Sequence, residues 1–145
     1  MILHLNYPTI HYFLYYLNKF QTYFDIQQGL FDEEITIPPL IVQPYVENAI
    51  IHGLRNKASD DGQLIIKVYR SQEKLYYEID DNGIGRAAAA KINRNKEMSY
   101  GMQLSKDRVQ LFNDNDHENV IITDKIENGK SIGTSIMVIL NIENQ

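Results

Sequence analysis

The stretch Ile37-Pro38-Pro39-Leu40-Ile41-Val42-Gln43-Pro44-Tyr45-Val46-Glu47-Asn48-Ala49-Ile50-Ile51-His52-Gly53-Leu54 carries the reading of the fold. Its pattern is helical from Leu40 to Leu54, with Val42, Val46, Ala49 and Ile50 on one apolar stripe. Pro38 and Pro39, preceded by Asp32, Glu33 and Glu34, make a rigid lead-in. Pro44 is tolerated only near a first helical turn or with a kink. Asn48 and His52 are i, i+4 neighbours, so an otherwise apolar helix carries a polar stripe, with Glu47 about 100° round from Asn48. Asn offers a neutral oxygen to a hard cation such as Mg2+, and Glu can orient a water. The same residues also read as an ordinary helix end, capped by Gly53 and stabilised by His52.

Before this helix, Pro8 followed by Ile10, Phe13, Leu14 and Leu17 predicts a short amphipathic helix, and residues 21–28 an edge strand. After it, residues 56–62 form a polar loop. Two strands follow, Leu64–Arg70 and Leu75–Asp81, joined as a hairpin through Ser71-Gln72-Glu73-Lys74. Ala87–Ala90 seed a short helix that fades into the polar Asn93–Ser99, which has mobile-loop character. Helix returns from Gln103 to about Phe112. Two final strands surround the turn Asn128-Gly129, with Thr134, Ile136, Val138, Leu140 and Ile142 on one face. Helix, helix, hairpin, helix, hairpin predicts an α+β fold. The expected form is a two-layer α/β sandwich, its sheet mixed but mostly antiparallel and its helices on one face. Residues 37–145 are expected to form the domain, and residues 1–36 a helix and edge strand packed on it or leading into it.

The 145 residues are 43% hydrophobic and 23% charged, the balance of a globular chain. The absence of cysteine excludes disulfides, thiolate nucleophiles and Cys-built metal sites. A net charge of −5 argues against a nucleic-acid partner, which requires a basic face. No apolar run approaches the roughly 18 residues of a membrane span, and the first residues lack the layout of a signal peptide. The expectation is one soluble, mildly acidic domain that makes no membrane contact itself.

Three further clusters could carry chemistry. Asp81-Asn82-Gly83-Ile84-Gly85 follows a strand in which Leu75, Tyr77, Ile79 and Asp81 share one face, so Asp81 points with the core residues. A carboxylate there needs a partner, and the exocyclic amino group of adenine is a suitable donor. Gly83 and Gly85 would let a flat ligand approach the backbone, although Asn-Gly after a strand is equally a plain turn. Ser99-Tyr100-Gly101-Met102-Gln103-Leu104 reads as a loop feeding a helix, whose free N–H groups suit phosphate oxygens, or as a simple cap. Gly133-Thr134-Ser135 places a glycine inside a strand, a sign of close approach or of a bulge. Together these clusters can line one pocket that takes adenine, Mg2+ and phosphates in turn.

In this combination the chain resembles the ATP-binding domain shared by histidine kinases, gyrase-type topoisomerases, heat-shock chaperones and mismatch-repair ATPases, the Bergerat-type fold. Glu47-Asn48 to Gly53 is similar to that family's N box, Asp81 to Gly85 to its first glycine box, Gly101 to Leu104 to its second, and Gly133-Thr134 to its last box. The run from Ile37 to Leu54 is similar to LytS/YehU-type bacterial sensor histidine kinases, whose N box reads Q-P-L-V-E-N-A-x-x-H-G. The resemblance covers about Ile37 to Leu140. It implies that Asp81 accepts from the adenine amino group, Asn48 ligates Mg2+ and Glu47 acts at the γ-phosphate as the catalytic residue. His52 would lie near the phosphates, with Gly83, Ile84, Gly85, Gly101, Met102, Leu104, Gly133 and Thr134 completing the ATP site and residues 86–100 forming a lid. It further implies ATP and Mg2+ as cofactors, and phosphoryl transfer to a histidine on an upstream dimerisation segment. The remaining partners would be a second copy of the full-length protein and a response regulator, with the domain cytoplasmic and the whole protein anchored in the bacterial inner membrane. Two departures stand out. Gln103 replaces the second glycine of the G-x-G box, and the family's P-H-F-x-x-N phosphoacceptor motif is missing. His11-Tyr12-Phe13 only echoes it, and helix packing is the better reading of His11. An anti-sigma-type serine kinase and a non-catalytic nucleotide-sensing module of the same fold are the alternatives.

Overall fold

Alternating burial builds the sheet. In β2 (Gly62–Ser71) and β3 (Lys74–Asp81) every second residue is buried, putting Leu64, Ile66 and Val68 beside Leu75, Tyr77 and Ile79 on one face. The same alternation fixes β5 (Lys130–Asn141), where Thr134, Ile136, Val138 and Leu140 face inward, as expected. With β1 (Phe20–Ile26) and β4 (Val120–Glu127) these form a five-stranded sheet in the order β1-β2-β3-β5-β4. This computed structural model describes residues 19–30, 35–92, 97–114 and 117–142, so the helix expected at residues 8–17 lies outside the described residues. Among the described residues only the β1–β2 pair is parallel, and the other three pairs are antiparallel. The sheet is therefore mixed and mostly antiparallel. Its last hairpin turns on Asn128 (φ 49°) and Gly129 (φ 74°), the two consecutive left-handed residues that a tight hairpin turn of this hand requires. Although β1 precedes residue 37, it is a full member of the sheet, and Phe20 and Leu30 belong to the core.

One face of the sheet is covered by α1 (Gln43–Asn48), a π-helical turn (Ala49–Leu54), α2 (Arg86–Ile92) and α3 (Glu97–Asn113). The apolar stripe is buried as its spacing predicts: Val42, Val46, Ala49 and Ile50 are all in the core. The α-helix starts at Gln43 and not at Leu40, which places Pro44 in the first turn, where its missing N–H costs nothing. Its second half widens: the Arg55 N–H donates to the Ile50 carbonyl at 2.9 Å, a five-residue step. The Asn56 amide closes this turn by donating to the carbonyls of Ile51 and His52, both at 3.2 Å. A second correction concerns α3. Helix begins at Glu97, so Glu97–Ser99 are not loop and Gly101 lies inside the helix instead of starting it. Glycine is tolerated there because helix on both sides and packing outweigh its entropy cost of about 0.5–1 kcal/mol. Ser105 fastens α3 to the segment before α1 by donating to the Ile41 carbonyl at 2.5 Å.

Candidate functional site

Between the helical layer and the β3/β5/β4 end of the sheet lies a cavity of about 590 Å³, within the usual range of small-ligand pockets. Its floor is Asp81, Thr134, Val120 and Ile122. Asn48, His52 and Gly53 form the wall on the N-box side, while Gly85, Arg86, Ala89 and Ala90 form the wall of α2. Met102, Gln103 and Lys106 face it from α3, and Glu118 stands at its β4 end.

Asp81 ends β3 on the core face, as the alternation requires, and is only 4% exposed. Its Oδ1 accepts the Gly83 N–H at 2.8 Å. Among the described residues it makes no ion pair, so burial raises its pKa to about 6, against the smaller opposing effects of the Gly83 N–H and of Lys125. The seat for this carboxylate is made of glycine. A Cβ at Gly53 would come within 2.9 Å of Asp81 Oδ1, and one at Gly83 within 2.4 Å of the Gly53 carbonyl carbon. The Ile84 N–H then donates to the Gly53 carbonyl at 3.3 Å, tying the loop after β3 to the end of the π turn. His52 has its pKa lowered, first by burial and then by the nearby Arg55, which favours neutral imidazole.

Of the twelve residues that the sequence assigns to the ATP site, six meet at this cavity: Asn48, His52, Asp81, Gly85, Met102 and Thr134. Glu47, Gly83, Ile84, Gly101, Leu104 and Gly133 do not line it. Glu47 accepts a hydrogen bond from Gln43 Nε2 at 2.7 Å, one helical turn back. The close approaches at the glycines of the two β-strand boxes are made by the chain itself. Gly83 meets Gly53, Gly85 (φ 79°) meets the Ser131 hydroxyl, and Gly133 (φ 132°) meets the Asp81 carbonyl. Lys106 and Glu118 join the site without having been anticipated, and Arg86 and Ala89 enter it from the stretch 86–100 that the resemblance marks as a lid. Of the first two, only Lys106 had a legible signal, since it stands i, i+4 from Met102 on one helix. Arg86 is held by Asp124 of β4 through two 2.7 Å hydrogen bonds.

No family model matches the chain. In sequence it is 28% identical over 98 residues to the Bacillus subtilis protein YwpD, covering 66% of this chain and 34% of that one. It is 33% identical over 70 residues to the sensor protein LytS of Staphylococcus saprophyticus, covering 48% of this chain and 11% of LytS. A sensor-like histidine kinase of Staphylococcus epidermidis is 37% identical over 65 residues, covering 45% of this chain and 12% of its own length. The chain thus spans about a third of the first relative and about a ninth of the other two. Among solved structures it matches the blue-light activated histidine kinase of Erythrobacter litoralis (TM-score 0.56, 15% identity, 93% of this chain and 41% of that one). It matches the mycobacterial sensor histidine kinase MprB with TM-score 0.54 at 13% identity, over 85% of this chain and 82% of that one. The catalytic domain of histidine kinase ThkA gives TM-score 0.52 at 8% identity, over 91% and 88% of the two chains. The fold is that of a histidine kinase catalytic domain. The resemblance to LytS-type sensor histidine kinases, first carried by Ile37–Leu54, is supported by sequence relatives of that kind.

Proposed function

We propose that this chain is the ATP-binding catalytic domain of a two-component sensor histidine kinase. The observation that carries the reading is Asp81: a nearly fully buried carboxylate at the floor of a cavity, without an ion-pair partner among the described residues. Such a group is costly without a partner and suits a ligand that brings its own donor, as the adenine amino group does. Thr134 beside it and the apolar Ala89, Val120 and Ile122 suit a flat base. Asn48 would hold Mg2+ through its amide oxygen. No cluster of three or more His, Asp or Glu able to bind a metal occurs among the described residues, so phosphate oxygens would complete the coordination. Mg2+ bound there supplies charge neutralisation at the transferring phosphoryl group.

The residues of this chain bind and orient. The acceptor is a histidine on an upstream dimerisation segment; its imidazole nitrogen bonds the γ-phosphorus, the bond to the β-phosphate oxygen breaks, ADP leaves and the other ring nitrogen gives up its proton to solvent water. A response regulator takes the phosphoryl group next, and the full-length protein is a membrane-anchored homodimer. No helix among the described residues is long and apolar enough to cross a membrane. A second reading, a nucleotide-sensing module without transfer, is favoured by one feature: Gly101 is enclosed in α3 and Gln103 stands where the G-x-G box has glycine.

Calorimetric titration with Mg·ATP, on this chain and on Asp81→Asn, tests the nucleotide site. Losing a charge-assisted hydrogen bond is expected to weaken binding roughly 10–100-fold. No binding by the unmodified chain would reject the site, and equal binding by the variant would reject the role of Asp81. Adding the dimerisation segment of a LytS-type kinase separates the two readings, because acid-labile label on histidine appears only if transfer occurs.

A further inference from the structure

Among the described residues, the nucleotide reading leaves a charge imbalance at the site. ATP brings up to about four negative charges, and Asn48 and neutral His52 supply none of the opposite sign. A backbone cradle at the second glycine box is missing too. Only the first four N–H groups of a helix lack partners, and with α3 starting at Glu97 the N–H groups from Gly101 onward are inside it. Among the described residues two cationic side chains line the cavity, Arg86 and Lys106. Arg86 is committed to Asp124 through both of its 2.7 Å bonds. Lys106 is exposed and makes no ion pair or hydrogen bond among the described residues.

We propose that Lys106 contacts the polyphosphate of the bound nucleotide, so that this site tells nucleotides from nucleosides by a side-chain cation on α3 and not by a backbone cradle at the helix start. The proposal rests on the nucleotide reading above and adds the source of phosphate recognition. Met102, Gln103 and Lys106 share the cavity side of α3 at spacings i, i+1 and i+4, and Gln103 keeps its amide in place by donating to Asp107 at 2.8 Å. A lysine suits the task. Its ammonium is a point charge on a flexible four-carbon stem, and it reaches phosphate oxygens without needing a fixed angle.

The test is titration of the chain with Mg·ATP, Mg·ADP and adenosine, for the unmodified protein, Lys106→Met, Lys106→Arg and Asp81→Asn. Lys106→Met is expected to bind adenosine as the parent does and Mg·ATP about tenfold more weakly, with a shallower dependence on salt. Lys106→Arg should restore most of the loss. If Asp81→Asn weakens all three ligands while Lys106→Met leaves Mg·ATP unchanged, or weakens adenosine equally, the assignment of Lys106 fails and the nucleotide site stands. If the parent binds none of the three, both fall. Because Lys106 is on the surface, unchanged thermal melting of its variants verifies that the fold is intact.

Discussion

Asp81 sits where folding and the proposed nucleotide binding want opposite things. Burial raises its pKa from 3.8 to about 6, so the folded chain holds this proton more tightly than the unfolded chain does. Ionised Asp81 therefore costs stability above about pH 6, on the order of 3 kcal/mol, and that cost shrinks as the pH falls from about 6 towards 4. Asparagine keeps an oxygen for the Gly83 N–H and removes the charge. Asp81→Asn is thus expected to melt at a higher temperature than the parent at pH 7.5, with the gap closing towards pH 4, even as it loses nucleotide affinity. Melting curves from pH 4 to pH 8 check this, and a variant that melts no higher than the parent at pH 7.5 would contradict it. The inward direction of Asp81 was legible because strand alternation is a local property. The role of its glycines was not. Gly53 and Gly83 are 30 positions apart in sequence, and only the folded chain brings their backbones together to seat the carboxylate.

The elements divide in the same way. Strands, hairpins and the buried stripe of α1 could be read because periodicity and turn residues are written locally. The π turn could not, since Ala49–Leu54 differs from ordinary helix by a single hydrogen-bond step that no residue type demands. The start of α3 differs from the sequence expectation for a physical reason: glycine before an apolar run is a fair sign of a helix start, but it also survives inside a helix held from both sides. That difference has a measurable consequence. Gly101 has no left-handed φ, and a Cβ there would find only Pro44 Cβ at 3.8 Å, an ordinary contact. Gly101→Ala is therefore expected to stabilise the protein by about 0.5–1 kcal/mol, through higher helix propensity and a less flexible unfolded chain. The urea midpoint should rise with the slope unchanged. A fall in midpoint would place Gly101 in a conformation that alanine cannot adopt, as a loop glycine would be.

At the scale of the molecule, the sequence suggested a domain beginning at Ile37, because the box pattern starts there, whereas the sheet starts earlier. β1 covers the β2 edge along seven paired residues, Phe20↔Gly62 to Ile26↔Val68. Phe20 packs so closely that a Cβ at Gly62 would come within 2.8 Å of it, and Leu30 is 1% exposed. The pairing is parallel and non-local, joining two strands separated by the whole of α1 and its π turn, so it leaves no hairpin signal in the sequence. A chain cut at residue 37 would lose two buried apolar side chains at about 1.5–3 kcal/mol each, and would expose a ladder edge on β2. Against a total stability of roughly 5–15 kcal/mol, that leaves a marginal domain. A chain starting at Ile37 should unfold at much lower urea than one starting at Lys19, and tend to associate through β2. If the shorter chain is as stable as the longer one, β1 is an appendage and the boundary belongs at residue 37. If it is not, the cavity depends on a strand at the far edge of the sheet from β4, through the β2–β3 pair against which the π turn packs.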